Sequence, residues 1–244
     1  MLKSAIFNNM ESLGQGLAWG FSNREDGNMS LFYGESNNSL GNREKFLRTL
    51  GIDYKDLVCA KQIHSNQIRY VSDSDKGKGA LSYDTALADT DALITNKKGL
   101  PLAIFTADCL SIFLYAETIP ALGLVHAGRE GTRENIVSET IIQMQKRFNL
   151  KAEDLKACFG PAIRSCCYEV GRDFKDFGYG LIKRDSRYYI DLIEANKKQI
   201  LDRGIKKENI RVCGICTSCE NDRFFSFRKE GRSSGRMISA AMLK

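Results

Sequence analysis

LPLAIFTADCLSIFLYAETIPALGLVHAGREGTRENIVSETIIQMQKRF, Leu100 to Phe148, changes its apolar period part-way along. Leu102–Phe105, Ser111–Tyr115 and Ala121–His126 are apolar, β-rich runs of strand length. From Asn135 to Phe148 the spacing becomes helical, with Ile136, Val137, Thr140, Ile141, Met144 and Phe148 on one stripe. Strands followed by an amphipathic helix, with no regular βαβ repeat, predict an α/β (α+β) fold rather than a Rossmann sheet.

The flanks extend the same pattern. Towards the N-terminus, Leu17–Phe21, Leu57–Gln62, Gln67–Val71 and Ala92–Thr95 read as strands. Asn42–Leu50 reads as a helix with Phe46, Leu47 and Leu50 on one side and Gly51 as its stop. Towards the C-terminus, Leu155–Phe159, Ile210–Cys213 and Phe224–Arg228 read as strands. Asp191–Gly204 reads as a second amphipathic helix carrying Ile193, Ile200 and Leu201. With three prolines, no repeats and no linker, residues 1–244 are expected to form a single domain. The polar, glycine-containing loop Ser72–Tyr83 is its softest segment.

Composition narrows the function classes. The net charge of +6 is mild, and basic residues are interspersed with acidic ones. That argues against a nucleic-acid surface and suits small anionic ligands such as phosphate. Eight cysteines in 244 residues do not make a disulfide scaffold. MLKSAIFNNMESLGQGLAWGF lacks the basic start and apolar core of a secretory signal, so the cysteines read as cytoplasmic thiols. The longest apolar run holds Pro101 and Asp108 and is too interrupted to span a membrane.

The chain has two histidines, His64 in KQIHSNQI and His126 in GLVHAGREGT, with Cys109 between them in TADCLSIF. All three fall at strand ends or breaks. Two imidazoles and a thiolate are zinc ligands, and three protein ligands with one open position is the pattern of a catalytic zinc. Two hydrogen-bonded histidines and one buried strand cysteine fit the same residues. After His126, Ala127-Gly128 lets the backbone approach a ligand closely. Arg129-Glu130-Gly131-Thr132-Arg133 could receive a phosphate, or open a helix with Thr132 as its cap.

Two cysteine-rich segments stand apart. In GPAIRSCCYEVG, Gly160-Pro161 predicts a turn, and Cys166-Cys167 read as buried thiols. Cys213, Cys216 and Cys219 form a C-x2-C-x2-C run like part of an iron–sulfur motif, but Arg223 stands where the fourth cysteine would fall. Arg228, Arg232 and Arg236 follow around glycine-containing turns, solvated or closing over an anionic substrate. The H-x-E and P-C-x-x-C pair of cytidine deaminases, the G-x-S-x-G elbow and the P-loop are absent.

QIHSNQI, ADTDALIT, TADCLSIFLY, GLVHAGREGT, GPAIRSCCYEVG, CTSC, FFSFRKEG and SGRM occur in the order typical of the YfiH/YlmD family. The chain resembles this family, once labelled laccase-domain or multicopper polyphenol oxidoreductase proteins and similar to FAMIN, over nearly its whole length. The resemblance implies a sandwich of mixed β-sheets with flanking helices. It implies a zinc pocket with His64, Cys109 and His126 as ligands, copper being the second choice. It also implies purine nucleoside phosphorolysis, methylthioadenosine included, with adenosine deamination as a further activity. The family pattern H-A-G-W-R-G departs here to His126-Ala127-Gly128-Arg129-Glu130-Gly131.

On this reading the partners are purine nucleosides and phosphate, and the protein is a monomer or small homo-oligomer. Arg24, Arg43, Arg129 and Arg228 are the candidate anion-binding cations. Gln62 and Asp108 are candidate groups orienting ligands or substrate. A metal-free cysteine hydrolase with Cys109 as nucleophile and His126 as base, acting for example on cell-wall precursors, is the alternative. A multicopper oxidase would need many more histidines than two.

Overall fold

The computed structural model describes residues 13–244, and in it the two apolar runs on either side of Cys109 belong to different sheets. In chain order the elements are β1 (Leu17–Phe21), α1 (Ser39–Arg48), β2 (Val58–Cys59), β3 (Ile68–Tyr70), β4 (Ala92–Thr95), β5 (Leu102–Thr106), β6 (Leu110–Ala116) and β7 (Ala121–Ala127). There follow α2 (Arg129–Arg133), α3 (Ile136–Phe148), β8 (Leu155–Phe159), β9 (Glu169–Val170), β10 (Leu181–Arg184) and β11 (Arg187–Ile190). α4 (Leu192–Asp202), β12 (Ile210–Val212), α5 (Phe227–Glu230) and β13 (Met237–Leu243) complete the chain.

One sheet has the order β1-β13-β5-β2 and the larger one β12-β8-β6-β7-β4-β3. Both are mixed: β5 pairs antiparallel with β13 but parallel with β2, and β8 antiparallel with β6 but parallel with β12. A small sheet, β10-β11-β9, lies apart. Leu17, Phe21, Leu102 and Ile104 of the first sheet meet Leu93, Phe113, Leu122 and Leu124 of the second in one buried cluster. On the outer face of the first sheet, Phe46 and Leu47 of α1 pack with Ala103, Ile238 and Ala240. On the outer face of the second, Val137, Ile141 and Met144 of α3 and Ile193 of α4 pack with Ile94, Ile112, Leu114 and Val125. The layers therefore run helix, sheet, sheet, helices, a sandwich of mixed sheets with flanking helices as expected.

Local chemistry sets the ends of the helices. Asn135 and Asn149 bracket α3 in left-handed conformation, a state asparagine adopts more readily than most residues. The Asp191 side chain accepts from the amides of Ile193 and Glu194 and starts α4.

Several expectations are corrected. Leu57–Gln62 contracts to the two residues of β2, because the chain leaves the sheet to carry His64. Phe224–Arg228 is not a strand. Phe224 and Phe225 bury against Ala107 and Met237, and α5 begins immediately after them. Gly160-Pro161 makes no turn: the chain runs on extended, with Ala162 bridging Cys216. Gly128, not Thr132, precedes the first turn of α2, and the Thr132 hydroxyl accepts from Asn196 Nδ2 at 2.9 Å. Cys166 is exposed and Cys167 half-buried, so they are not buried thiols. β9, β10, β11 and β13 were not predicted.

The opening residues 1–12, part of the segment read for a secretory signal, lie outside the described residues. Among the described residues no helix is long and apolar enough to cross a membrane.

Candidate active site

Cys109 sits where the chain crosses from β5 in one sheet to β6 in the other. That crossing is sharp, and Asp108 takes a left-handed φ of 89° to make it. Both oxygens of the Asp108 carboxylate help to hold the turn. Thr217 Oγ1 donates to Oδ1 at 2.7 Å, and the Arg228 amide donates to Oδ2 at 2.6 Å. The backbone carbonyl of Asp108 accepts from Ile163 as well.

His126 lies near the end of β7 and is buried. Its Nδ1 donates to Asp91 Oδ1 at 2.7 Å, leaving Nε2 to face Cys109 and His64. His64 projects from the loop after β2 with φ 64°. Asp91 holds that loop too, accepting from the amides of Ile63, His64 and Ser65 and from the Ser65 hydroxyl. One buried carboxylate thus fixes both histidines.

The ligand atoms of His64, Cys109 and His126 lie within 4.8 Å of one another. Gly128 clears the space beside them. A Cβ there would stand 2.9 Å from His64 Cδ2 and 3.3 Å from Cys109 Sγ. Burial opposes ionisation of Cys109, yet the charge of His126 and hydrogen bonds from both histidines bring its pKa down to about 6. Burial likewise disfavours the His126 cation, but the Cys109 charge and Asp91 raise it to about 9. Without metal, both shifts favour a thiolate on Cys109 beside an imidazolium on His126. A nitrogen–nitrogen–sulfur set of this size, with one side open, fits a tetrahedral zinc ion with three protein ligands.

The open side is a cavity of about 810 Å³, within the range of small-molecule sites. His64, Cys109, His126, Arg43, Gln62, Asp108, Arg129 and Arg228 all line it. Arg24 is not among the lining residues: it pairs with Glu230, donates to the Asn221 and Phe224 carbonyls and stacks on Phe225. Arg43 lines the wall as a brace, donating to the carbonyls of Met29, Gly79 and Ala80. Gln62 is clamped to β5, its amide giving to the Phe105 carbonyl and its oxygen accepting from the Phe105 amide, both at 2.8 Å. Arg129 stacks 3.7 Å over Phe174 and bonds Glu130. Arg228 donates to the Glu169 carbonyl.

Sequence reasoning did not select several lining groups. Arg232 and Arg236, which the sequence left between solvated and substrate-closing roles, join Arg228 and Arg129 around the cavity. Phe32, Tyr33, Tyr83, Tyr168 and Phe227 supply aromatic surface. Phe32 and Tyr83 are stacked at 4.6 Å. Asp91 sat in the quoted ADTDALIT motif, but nothing in its spacing tied it to the histidines.

Residues 19–244 match the family model for multi-copper polyphenol oxidoreductase laccase. The chain belongs to this laccase-domain family. Its relatives include purine nucleoside phosphorylase YlmD of Geobacillus stearothermophilus, 34% identical over 223 residues that cover 87% of this chain and 81% of the relative. Adenosine deaminase RL5, from an unknown prokaryote, is 30% identical over 205 residues, 80% of this chain and 78% of that one. The crystal structure of Geobacillus stearothermophilus YlmD superposes with a TM-score of 0.90 at 30% identity, covering 95% and 93% of the two chains. That of Bacillus licheniformis YfiH gives 0.88 at 32% identity, covering 93% of each. The laccase-domain fold and the YfiH/YlmD resemblance read from the sequence are both upheld.

Proposed function

We propose that this chain is a zinc-dependent purine nucleoside phosphorylase working in the cavity above His64, Cys109 and His126. The observation that carries the reading is the convergence of three metal-type ligands at one end of a cavity whose walls combine aromatic rings with arginines. The names of the relatives support the substrate class. His64, Cys109 and His126 would hold the zinc ion, which would supply Lewis acidity within the cavity. Copper suits the same ligand types, but multicopper chemistry needs more than two histidines.

The chain's own residues account for binding and charge. Phe32, Tyr83 and Phe227 offer faces on which a purine stacks. Arg129, Arg228, Arg232 and Arg236 offer guanidinium groups that a phosphate pairs with in bidentate fashion. Burial raises the Tyr168 pKa to about 12, so its phenol stays protonated and available as a donor. In phosphorolysis a phosphate oxygen bonds to the sugar carbon as the bond to the purine nitrogen breaks. The departing base carries the electron pair until it is protonated. The arginines hold the attacking anion in place and offset its charge. Asp108 is assigned a positioning part, since it ties the Cys109 turn to Thr217 and to the Arg228 amide.

Adenosine deamination belongs to the same proposal, with water in place of phosphate as co-substrate and ammonia as the leaving product. A cytoplasmic setting belongs to the same reading, because a reducing compartment keeps Cys109 available as a ligand. The test is product analysis across inosine, adenosine, guanosine and methylthioadenosine, with and without phosphate. The expected products are free base and pentose 1-phosphate, formed only with phosphate. Free ribose formed without phosphate contradicts the proposal.

One observation favours a second reading. The Cys109–His126 pair is that of a thiol nucleophile and its base. A metal-free hydrolase would keep its activity in the presence of chelators and lose it on Cys109→Ser.

A further inference from the structure

Four cysteines meet outside the cavity. Cys166 and Cys167 occupy the turn that follows the extended Gly160–Ile163 segment. Cys216 and Cys219 come from the C-x2-C stretch some 50 residues later. All four Sγ atoms lie within 4.8 Å of one another. Cys219 Sγ is 3.5 Å from that of Cys166 and 3.4 Å from that of Cys167. Tetrahedral zinc with Zn–S bonds of about 2.3 Å sets its sulfurs about 3.8 Å apart, close to this spacing.

We propose that Cys166, Cys167, Cys216 and Cys219 bind a single zinc ion as four thiolates, a structural site separate from the His64–Cys109–His126 group. The ligands arrive two from each loop, and C-x2-C is the spacing by which one short turn presents two thiolates to one ion. Cys216 Sγ already accepts backbone N–H groups, from Arg164 at 3.4 Å and from Cys219, the environment a metal-bound thiolate needs. Arg184 donates to the Ser165 carbonyl at 3.2 Å, and Arg164 donates to the Gly214 carbonyl and pairs with Asp191, so both pin the loops that carry the four cysteines. Cys216 is buried while Cys166 and Cys219 are exposed, so an ion has a path in.

A disulfide would use two of the four sulfurs, and Cys219 stands almost equally close to two partners. An iron–sulfur cluster separates its cysteine sulfurs with bridging sulfide, whereas these four enclose room for one ion. Binding releases the thiol protons to solvent and changes no oxidation state. Cys213 lies outside the group, and Cys219 is at its centre.

The site would brace the wall of the cavity. Ala162 bridges Cys216, and the Thr217 amide donates to the Ala162 carbonyl at 3.2 Å. The neighbouring Thr217 hydroxyl holds Asp108, and Tyr168 follows Cys167 directly into the cavity lining.

The test is metal analysis and zinc X-ray absorption on the full chain purified under reducing conditions. Wild type should hold two zinc ions per chain, and His64→Ala/His126→Ala should keep one, with four sulfur neighbours at about 2.3 Å. Cys216→Ser/Cys219→Ser should lose that ion and keep the other. A folded His64→Ala/His126→Ala protein with no zinc, with nitrogen in the remaining shell, or with iron instead would overturn the proposal. Alkylation of the unmodified protein guards against a variant that fails to fold. Cys166 and Cys219 should react with iodoacetamide at least tenfold faster once a chelator is added. Equal rates, or a disulfide among the four residues, would overturn it.

Discussion

Asp91 Oδ1 accepts a hydrogen bond from His126 Nδ1 at 2.7 Å, with both side chains buried. This bond fixes the tautomer that leaves His126 Nε2 free as a ligand, and the same carboxylate holds the His64 loop. Asp91→Asn replaces one acceptor oxygen with a donor. It should weaken zinc binding at the His–Cys–His group about 10–100-fold. Competition with a chelating dye measures this, and unchanged affinity would show that the histidines orient themselves without Asp91.

Gly128→Ala tests the space around the ligands. The new Cβ meets ring and sulfur atoms at 2.9 and 3.3 Å, so His64 or Cys109 must move. Zinc affinity at this site should fall at least about tenfold, with native circular dichroism retained. Wild-type affinity in the alanine variant would mean that the ligand cluster tolerates displacement.

The metal-free protein carries a pH signature. Cys109 is lowered from 9.0 to about 6 on folding, so its stabilisation is full above 9 and lost as pH falls through 6. His126 is raised from 6.5 to about 9, so its contribution is full below 6.5 and lost as pH rises through 9. Between about 6.5 and 9 the two slopes oppose and cancel, so the summed contribution is level there and falls only as pH drops below about 6.5. Ultraviolet thiolate absorbance, read as metal-free wild type minus Cys109→Ser, should therefore titrate near pH 6. A difference signal that appears only near the ordinary thiol value of 9.0 would rule out the thiolate–imidazolium pair.

Arg129 stands where the family pattern has tryptophan, and it lines the cavity stacked on Phe174. Arg129→Met keeps the stem and removes the charge. The KM for phosphate should rise at least about tenfold, while adenosine deamination changes less than about threefold, because only the anion loses a partner. Equal losses in both reactions would make Arg129 a general support of the pocket. No loss in either would move the phosphate to Arg228, Arg232 and Arg236.

Much of this was legible in the chain. α3 carries a strong helical period that its burial follows, and β6 and β7 are continuous apolar runs buried along their whole length. β13 escaped because MISAAML is built largely of Met, Ser and Ala, which lack the β-branched and aromatic signal that marks β6 and β7. Phe224–Arg228 looked like a strand from its aromatic content, but tertiary burial of Phe224 and Phe225 decides its shape. The three ligand-type residues were visible as residue types at strand ends. Asp91 was not, since its link to His126 spans 35 positions and depends on the pairing of β4 with β7. The four-cysteine group was hidden for the same reason. The fourth ligand was sought at Arg223, just downstream of Cys219, whereas the partners of Cys219 come from another loop about 50 residues upstream.

The most direct measurement follows hypoxanthine release from inosine as phosphate is titrated, in wild type and in His126→Ala side by side. Wild type should release hypoxanthine and ribose 1-phosphate in equal amounts, with a rate that saturates in phosphate and vanishes without it. His126→Ala should lose the metal at this site and at least about a hundredfold in rate. Hypoxanthine release without phosphate, or a His126→Ala protein as active as wild type, would contradict phosphorolysis at the His64–Cys109–His126 site.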